Sequence, residues 1–212
     1  MSSESFRVRL KRFLKQPFFL ILQGLLYRIP FQPVEIALFY LLYNDGLLPR
    51  RRAQDHGIGE VREGKPEDIE TLTRIENKEE TFLKRFKTGE ICLVTLVNEK
   101  VVGYEWFSMA PGHLEERYRY YFQIPSDTVY GYDAFILPDY RKKGLYYKIH
   151  ERIWTLLKGL NKRRVMSMID YGNAPSMGAH RNLGFYPKKI IFYFRFLGFR
   201  FFKEKEINGQ IN

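Results

Sequence analysis

The sequence predicts a fold of the α/β (α+β) class: a mixed central sheet flanked by helices, preceded by a helical and extended N-terminal appendage. Three observations predict it. From residue 58 onward, short apolar runs of strand character alternate with segments of helical period. Val129 to Leu137, Gly144 to Leu160 and Val165 to Ile169 form a strand–helix–strand unit, the kind of connection that parallel strands need. The composition, 45% hydrophobic with 18 Phe and 15 Tyr in 212 residues, supplies one sizeable core.

Taken in order, residues 5–28 read as a basic amphipathic helix. Val34 to Tyr43 is an unbroken aliphatic and aromatic run, a buried strand or a short helix, closed by the turn residues Asn44, Asp45 and Gly46. Leu47 to Gly57, with Arg50, Arg51 and Arg52, reads as an exposed linker. The expected division is therefore an appendage over residues 1–55, a main domain over 56–202 and a tail over 203–212. Ile58 to Arg62 is a short strand. Pro66, Glu67 and Asp68 open a helix reaching about Glu76, because proline presets the first turn and acids suit the positive helix end. Lys78 to Lys87 is a second helix, stopped by Gly89. Ile91 to Val97 and Val101 to Met109 make a hairpin turning at Asn98 and Glu99. Arg117 to Gln123 reads as a further strand in a stretch with little pattern. Pro138 stops the strand that begins at Val129. Leu145, Ile149, Ile153, Leu156 and Leu160 fall on one helix face. Ala174 to Leu183 is a helix that Asn173 caps and Gly184 ends. Ile190 to Leu197 is a last strand, with the aromatic stretch Phe199 to Phe202 after it.

Net charge is +11, held at the two ends: residues 1–52 carry +6 and residues 186–212 carry +4, while residues 53–185 carry +1. Basic ends beside apolar residues suit an acidic surface, either anionic lipid, an acidic acyl carrier protein or nucleic acid. No helix-turn-helix, zinc or ribonucleoprotein pattern accompanies the charge, so no nucleic-acid partner is expected. Arg7, Arg9, Lys11, Arg12 and Lys15 precede the uncharged run Gln16 to Tyr27. No small-residue cleavage site follows, and the run is short of the ~20 residues of a spanning helix. The expectation is a helix lying peripherally on the inner face of the membrane, or else packed on the other end of the chain or on a second subunit of a dimer. Cys92 is the one cysteine, inside an apolar run. It reads as a buried, inert thiol in a reducing compartment such as the cytoplasm, and no metal site is expected.

Chemistry concentrates in two blocks. Arg141, Lys142, Lys143, Gly144, Leu145 and Tyr146 join a buried strand to a long helix. The N–H groups of such a first turn have no helical partner, and Gly144 lets an anion approach the backbone, so the turn suits a phosphate. The second block runs from Asn173 through Ser176 and His180 to Leu183, Gly184 and Phe185. With Leu137 to Gly144 and the order of elements, these residues resemble the GNAT acyltransferase superfamily over about residues 58–197. The resemblance implies that residues 141–146 hold the pyrophosphate of acetyl-CoA or another acyl-CoA. It also implies that the main chain of Phe135, Ile136 and Leu137 pairs with the pantetheine arm, and that Asn173 adds a contact to it. Tyr146 stands where the family pattern has a small residue. His180 stands four residues before Gly184, where the family often places a tyrosine that protonates the leaving thiolate. His180 is the expected general acid, with Ser176 as the alternative.

A base must deprotonate the amine. Asp133 lies in the strand before the turn, where burial would raise its pKa; Glu105 is the second candidate. His150 reads as packing or solvent-facing. The activity so implied is transfer of an acetyl or longer acyl group from acyl-CoA to a small amine. An amino-sugar nucleotide is the expected acceptor, lined by residues 110–128 and stacked on Tyr118, Tyr120, Tyr121 or Tyr132. The alternatives are an N-acyl amino acid synthase using acyl carrier protein, and a non-catalytic module that binds the membrane surface.

Overall fold

The computed structural model describes residues 18–46 and 58–207. The expected linker, the basic residues before Pro17 and residues 208–212 lie outside the described residues. The elements in chain order are α1 (Phe18–Leu26), β1 (Val34–Asn44), β2 (Glu60–Glu63), α2 (Ile69–Ile75), α3 (Glu79–Lys87), β3 (Ile91–Val97), β4 (Lys100–Ser108), β5 (Gly112–Glu115), β6 (Tyr120–Gln123), β7 (Thr128–Ile136), α4 (Leu145–Leu157), β8 (Arg164–Asp170), α5 (Ala174–Asn182), β9 (Tyr186–Phe196) and β10 (Phe199–Glu206).

Eight strands make one sheet in the order β10-β9-β1-β8-β7-β4-β3-β2, and β5 pairs with β6 in a separate hairpin. All pairs in the large sheet are antiparallel except β7 with β8. Strand side chains alternate between faces, and the sequence sorts accordingly. Leu93 and Phe107 pack with Ile149, Ile153 and Leu157 of α4, while Cys92, Val94, Tyr104 and Trp106 pack with Ile69, Leu72 and Phe82 of α2 and α3. Burial pushes the Cys92 thiol above its ordinary range, which keeps it unreactive. Further along that second face, Tyr118, Tyr120 and Phe122 of the β5–β6 hairpin cover Phe39, Tyr130 and Tyr193. Tyr118 and Tyr120 are therefore core residues, stacked on or edge-on to Phe39, and they are not a platform for an acceptor. The 110–128 stretch hid a four-residue strand, Gly112–Glu115, because its polar composition carries no period-two signal.

The first 55 residues are not wholly an appendage. β1 lies between β8 and β9, antiparallel to both, with Phe39 opposite Asp170 and Ile191. An unbroken apolar run is what a strand needs when both its edges are paired and both its faces are covered. Its last residue, Asn44, is fully buried; its Nδ2–H donates to Leu183 O and its Oδ1 accepts from the Gly46 N–H. α1 is tied to β1 by Gln23 Nε2–H donating to Ile36 O. The expected tail is also partly structural, since Lys203 to Glu206 complete β10.

Candidate active site

Two irregularities in the sheet build the site. The first is a splay. β7 and β8 pair only at Thr128 to Tyr130 with Arg164 to Met166, although both strands run on, to Ile136 and Asp170. Ser167 Oγ–H donates to Gly131 O at 2.8 Å where pairing stops. Beyond it the strands diverge and leave a slot with unpaired main chain. The second is a bulge. Trp106 faces Tyr132 and Tyr104 faces Phe135, so Asp133 and Ala134 together oppose Glu105. Asp133 sits at φ 47°, the left-handed region that Asp tolerates better than most residues.

The bulge sends the two candidate bases to opposite faces. Asp133 turns to the α3 face, where Lys78 Nζ is 2.8 Å from Oδ1 and the Arg85 guanidinium binds Oδ2. Arg85 is itself seated over the Tyr132 and Trp106 rings. Glu105 turns to the α4 face. It is 1% exposed, with Oε1 at 3.3 Å from the Tyr146 hydroxyl and Oε2 at 3.3 Å from His150 Nε2. That contact with His150 is not a hydrogen bond, and Oε2 and both ring nitrogens of His150 lack a hydrogen-bond partner among the described residues. His150 is thus buried packing beside a carboxylate, not a solvent-facing residue.

His180 joins the Glu105 group. Its Nδ1 is 2.9 Å from Ser176 O, and a carbonyl only accepts, so Nδ1 carries the ring proton. Nε2, 3.1 Å from the Tyr146 hydroxyl, is then an acceptor that shares the single phenol proton with Glu105 Oε1. Burial, helped by His150, pushes the His180 pKa down to about 3, so the ring is neutral. Burial next to Glu105 holds the Tyr146 phenol protonated well above its ordinary range. In this arrangement His180 has no proton to offer from Nε2. Ser176, one turn earlier, has a half-buried hydroxyl with no partner among the described residues.

The turn after β7 presents unpaired N–H groups among three cations. A 3₁₀ turn, Pro138–Tyr140, leads to Lys142 at φ 61° and Gly144 at φ 77°, the N-cap of α4. Among the described residues, the N–H groups of residues 142–147 meet no acceptor. Arg141, Lys142 and Lys143 are exposed around them. Leu145 is buried and offers only its backbone, and the Tyr146 ring turns away into the core, which leaves the turn open despite its bulk. Of the three expected pantetheine partners, Leu137 N–H is already bound to Val102 O, and Phe135 packs its ring beneath the Arg141 guanidinium. Ile136 O faces the slot, where Arg141 Nε–H donates to it at 2.8 Å; that exposed side chain must swing aside for a ligand. Asn173 caps α5, its Oδ1 accepting from the Ser176 N–H. A slot of unpaired main chain leading to a basic cradle of N–H groups fits a pyrophosphate with an extended amide-bearing arm.

The sequence reading missed a neighbouring cleft of about 520 Å³ at the carboxyl end of β8, lined by Leu20, Gly24, Tyr27, Arg117, Asp170 and Asn173 among others. Tyr118 Oη–H donates to Asp170 Oδ1 at 2.9 Å, Arg117 Nη1 is 3.0 Å from Oδ2, and Arg117 Nη2–H donates to the Tyr27 hydroxyl. These partners are 52, 53 and 90 residues apart in sequence, so no local spacing announces them.

The family match places this fold in the class of N-acetyltransferases. The chain belongs to the GNAT acetyltransferase family, whose model, described as "Acetyltransferase (GNAT) family", matches residues 52–185. Three solved structures share the fold. A GNAT-family acetyltransferase structure from Novosphingobium aromaticivorans has TM-score 0.54 at 10% identity, over 82% of this chain and 66% of that one. A conserved protein from Staphylococcus epidermidis has TM-score 0.53 at 13% identity, over 85% and 67%. The aminoglycoside N-acetyltransferase AAC(6')-Iy, solved with CoA, has TM-score 0.50 at 14% identity, over 59% and 90%. The chain thus spans about two thirds of the length of the first two. No curated protein matches the sequence.

Proposed function

We propose that the protein transfers an acetyl or other acyl group from acyl-CoA to a small amine held in the cleft at the end of β8. The splay of β7 from β8, opening onto the unpaired N–H groups of residues 142–147, carries this reading. Residues 142–147 and the three cations of the turn hold the pyrophosphate. Ile136 and Asn173 meet the pantetheine arm. The amine nitrogen bonds to the acyl carbon as the carbon–sulfur bond breaks; the amine loses a proton and the sulfur gains one.

The residue roles follow the geometry. Asp133 is the base on the face that carries the cleft-lining hairpin, but Lys78 and Arg85 must loosen before it can accept a proton. Glu105 is shut in the core on the other face and keeps Tyr146 and His180 in place. Ser176 is the accessible proton source for the thiolate, with His180 as its support through the Ser176 carbonyl. Asp170 is charge-compatible with an ammonium group, and the cleft is of small-molecule size. An amino-sugar nucleotide remains one acceptor to test, resting on Tyr132 and Tyr121 alone now that Tyr118 and Tyr120 lie in the core.

The experiment is a steady-state assay of thiol release from acetyl-CoA and longer acyl-CoAs against a panel of amino sugars, aminoglycosides and amino acids. Asp170→Asn is expected to raise KM for the amine about tenfold, the order of one lost charge-assisted hydrogen bond, with acyl-CoA affinity unchanged. No thiol release with any pair, or an Asp170→Asn protein with wild-type KM, contradicts the reading.

A further inference from the structure

The β9–β10 ribbon carries an uncovered aromatic face. Cross-strand partners share a face, and Phe196 faces Phe199 while Phe194 faces Phe201 and Phe192 faces Lys203. Phe192, Phe194, Phe196, Phe199 and Phe201 therefore point the same way. Phe199 and Phe201 are 72% and 58% exposed. α1 lies beside them on the same side, with Phe19 edge-on to Phe192 at 6.3 Å. Phe18, at 78%, and Leu25 extend the exposed apolar surface along α1. The loop after α1 joins it too: Leu197 N–H donates to Pro33 O, and Phe31 projects with its whole side chain in solvent. Exposed apolar residues scattered singly need no explanation, but a contiguous set of this kind marks a contact surface.

Charge identifies the partner. The ribbon sorts its charges by face. Lys203 and Lys205 lie on the aromatic side and form no ion pair among the described residues. Glu204 and Glu206 lie on the other side, where both pair with Lys189. Arg28 is exposed next to α1. The chain's own remaining segments cannot supply a complementary surface: residues 1–17 add five cations and one acid, residues 47–57 add three arginines and one acid, and residues 208–212 are uncharged. A second copy related by a two-fold axis would set Lys203 and Lys205 against themselves. An anionic bilayer satisfies both features, since phenyl rings enter the headgroup boundary while lysines meet the phosphates.

We infer that this face, formed by α1, the Phe31 loop and the β9–β10 ribbon, docks the enzyme on an anionic membrane surface. Among the described residues no helix is long and apolar enough to cross a membrane, so the contact is a peripheral one.

The test is co-sedimentation of the full chain with vesicles of phosphatidylcholine alone and of phosphatidylcholine with phosphatidylglycerol, at low and high salt. Binding is expected only to the anionic vesicles, weakened at least about tenfold by high salt. Phe199→Ser with Phe201→Ser should lower binding about tenfold without changing thermal stability, because both rings are exposed. Lys203→Glu with Lys205→Glu should abolish the preference for anionic lipid. No binding at low salt overturns the inference, as does wild-type binding by the double Phe variant. A solution dimer that the Phe variant splits, without vesicle binding, overturns it in favour of a second copy.

Discussion

Burial decides what the titratable side chains of this protein can do. His180 stands at the sequence position that suggested a proton donor, but its environment makes it a neutral acceptor held by two neighbours. Its folded pKa, about 3, lies below the ordinary histidine value, so between pH 3 and 6.5 the unfolded chain binds more protons than the folded one. Its stabilising effect is complete above about pH 6.5 and is lost as pH falls through that window, at up to about 1.4 kcal/mol per pH unit for one group. His113, packed against Tyr130 and Tyr132, is shifted down to about 4 and acts in the same direction. Urea midpoints should fall from pH 7 to pH 5, and His180→Gln should remove part of that slope. An unchanged slope would show that His180 is not buried in this way. The identity of His180 as a residue of interest was legible in the sequence; its tautomer and burial were not, because Tyr146 and His150 meet it only through folding.

At the scale of elements, most strands and helices from residue 58 on, β5 and β10 excepted, were legible because their hydrophobic periods are strong and their ends carry Pro, Gly or Asn. The turn between β7 and α4 was legible for the same reason: Pro138 ends β7, and Gly144 opens α4. The bulge at Asp133 was not, since a bulge is a property of two strands in register and leaves no mark on one. The place of β1 was likewise hidden. Its apolar run predicted a strand, yet its partners β8 and β9 come more than 120 residues later. Asn44 tests that placement. Asn44→Ala strips partners from Leu183 O and the Gly46 N–H in a fully buried position, and should cost about 1–3 kcal/mol by urea unfolding. A loss within a few tenths of a kcal/mol would mean that the end of β1 is not anchored to the α5–β9 turn.

For the whole molecule, the same sheet builds two distinct surfaces at different places. Its centre, where β7 leaves β8, supplies the slot and cradle, and its β9–β10 edge supplies an aromatic, basic face. α1 borders both, since Leu20 and Gly24 line the cleft while Phe18 and Leu25 are exposed. A membrane-bound enzyme would therefore present its acceptor cleft close to the lipid surface. The charge asymmetry between the ends of the chain and its centre was visible in the sequence, whereas the sorting of Lys203 and Lys205 from Glu204 and Glu206 required the ribbon's register.

The most direct test of the central claim, that the splayed slot and the turn at residues 141–146 hold an acyl-CoA, is calorimetric titration of acetyl-CoA into three proteins. These are the wild type, Lys142→Gln with Lys143→Gln, and Gly144→Val, with circular dichroism confirming that each is folded. The account predicts saturable binding by the wild type and a loss of about tenfold or more with the two lysines neutralised, on the scale of two lost phosphate contacts. It predicts no measurable binding by Gly144→Val, where a side chain obstructs the approach to the N–H groups. Equal affinity for all three folded proteins, or no binding by the wild type, would contradict it.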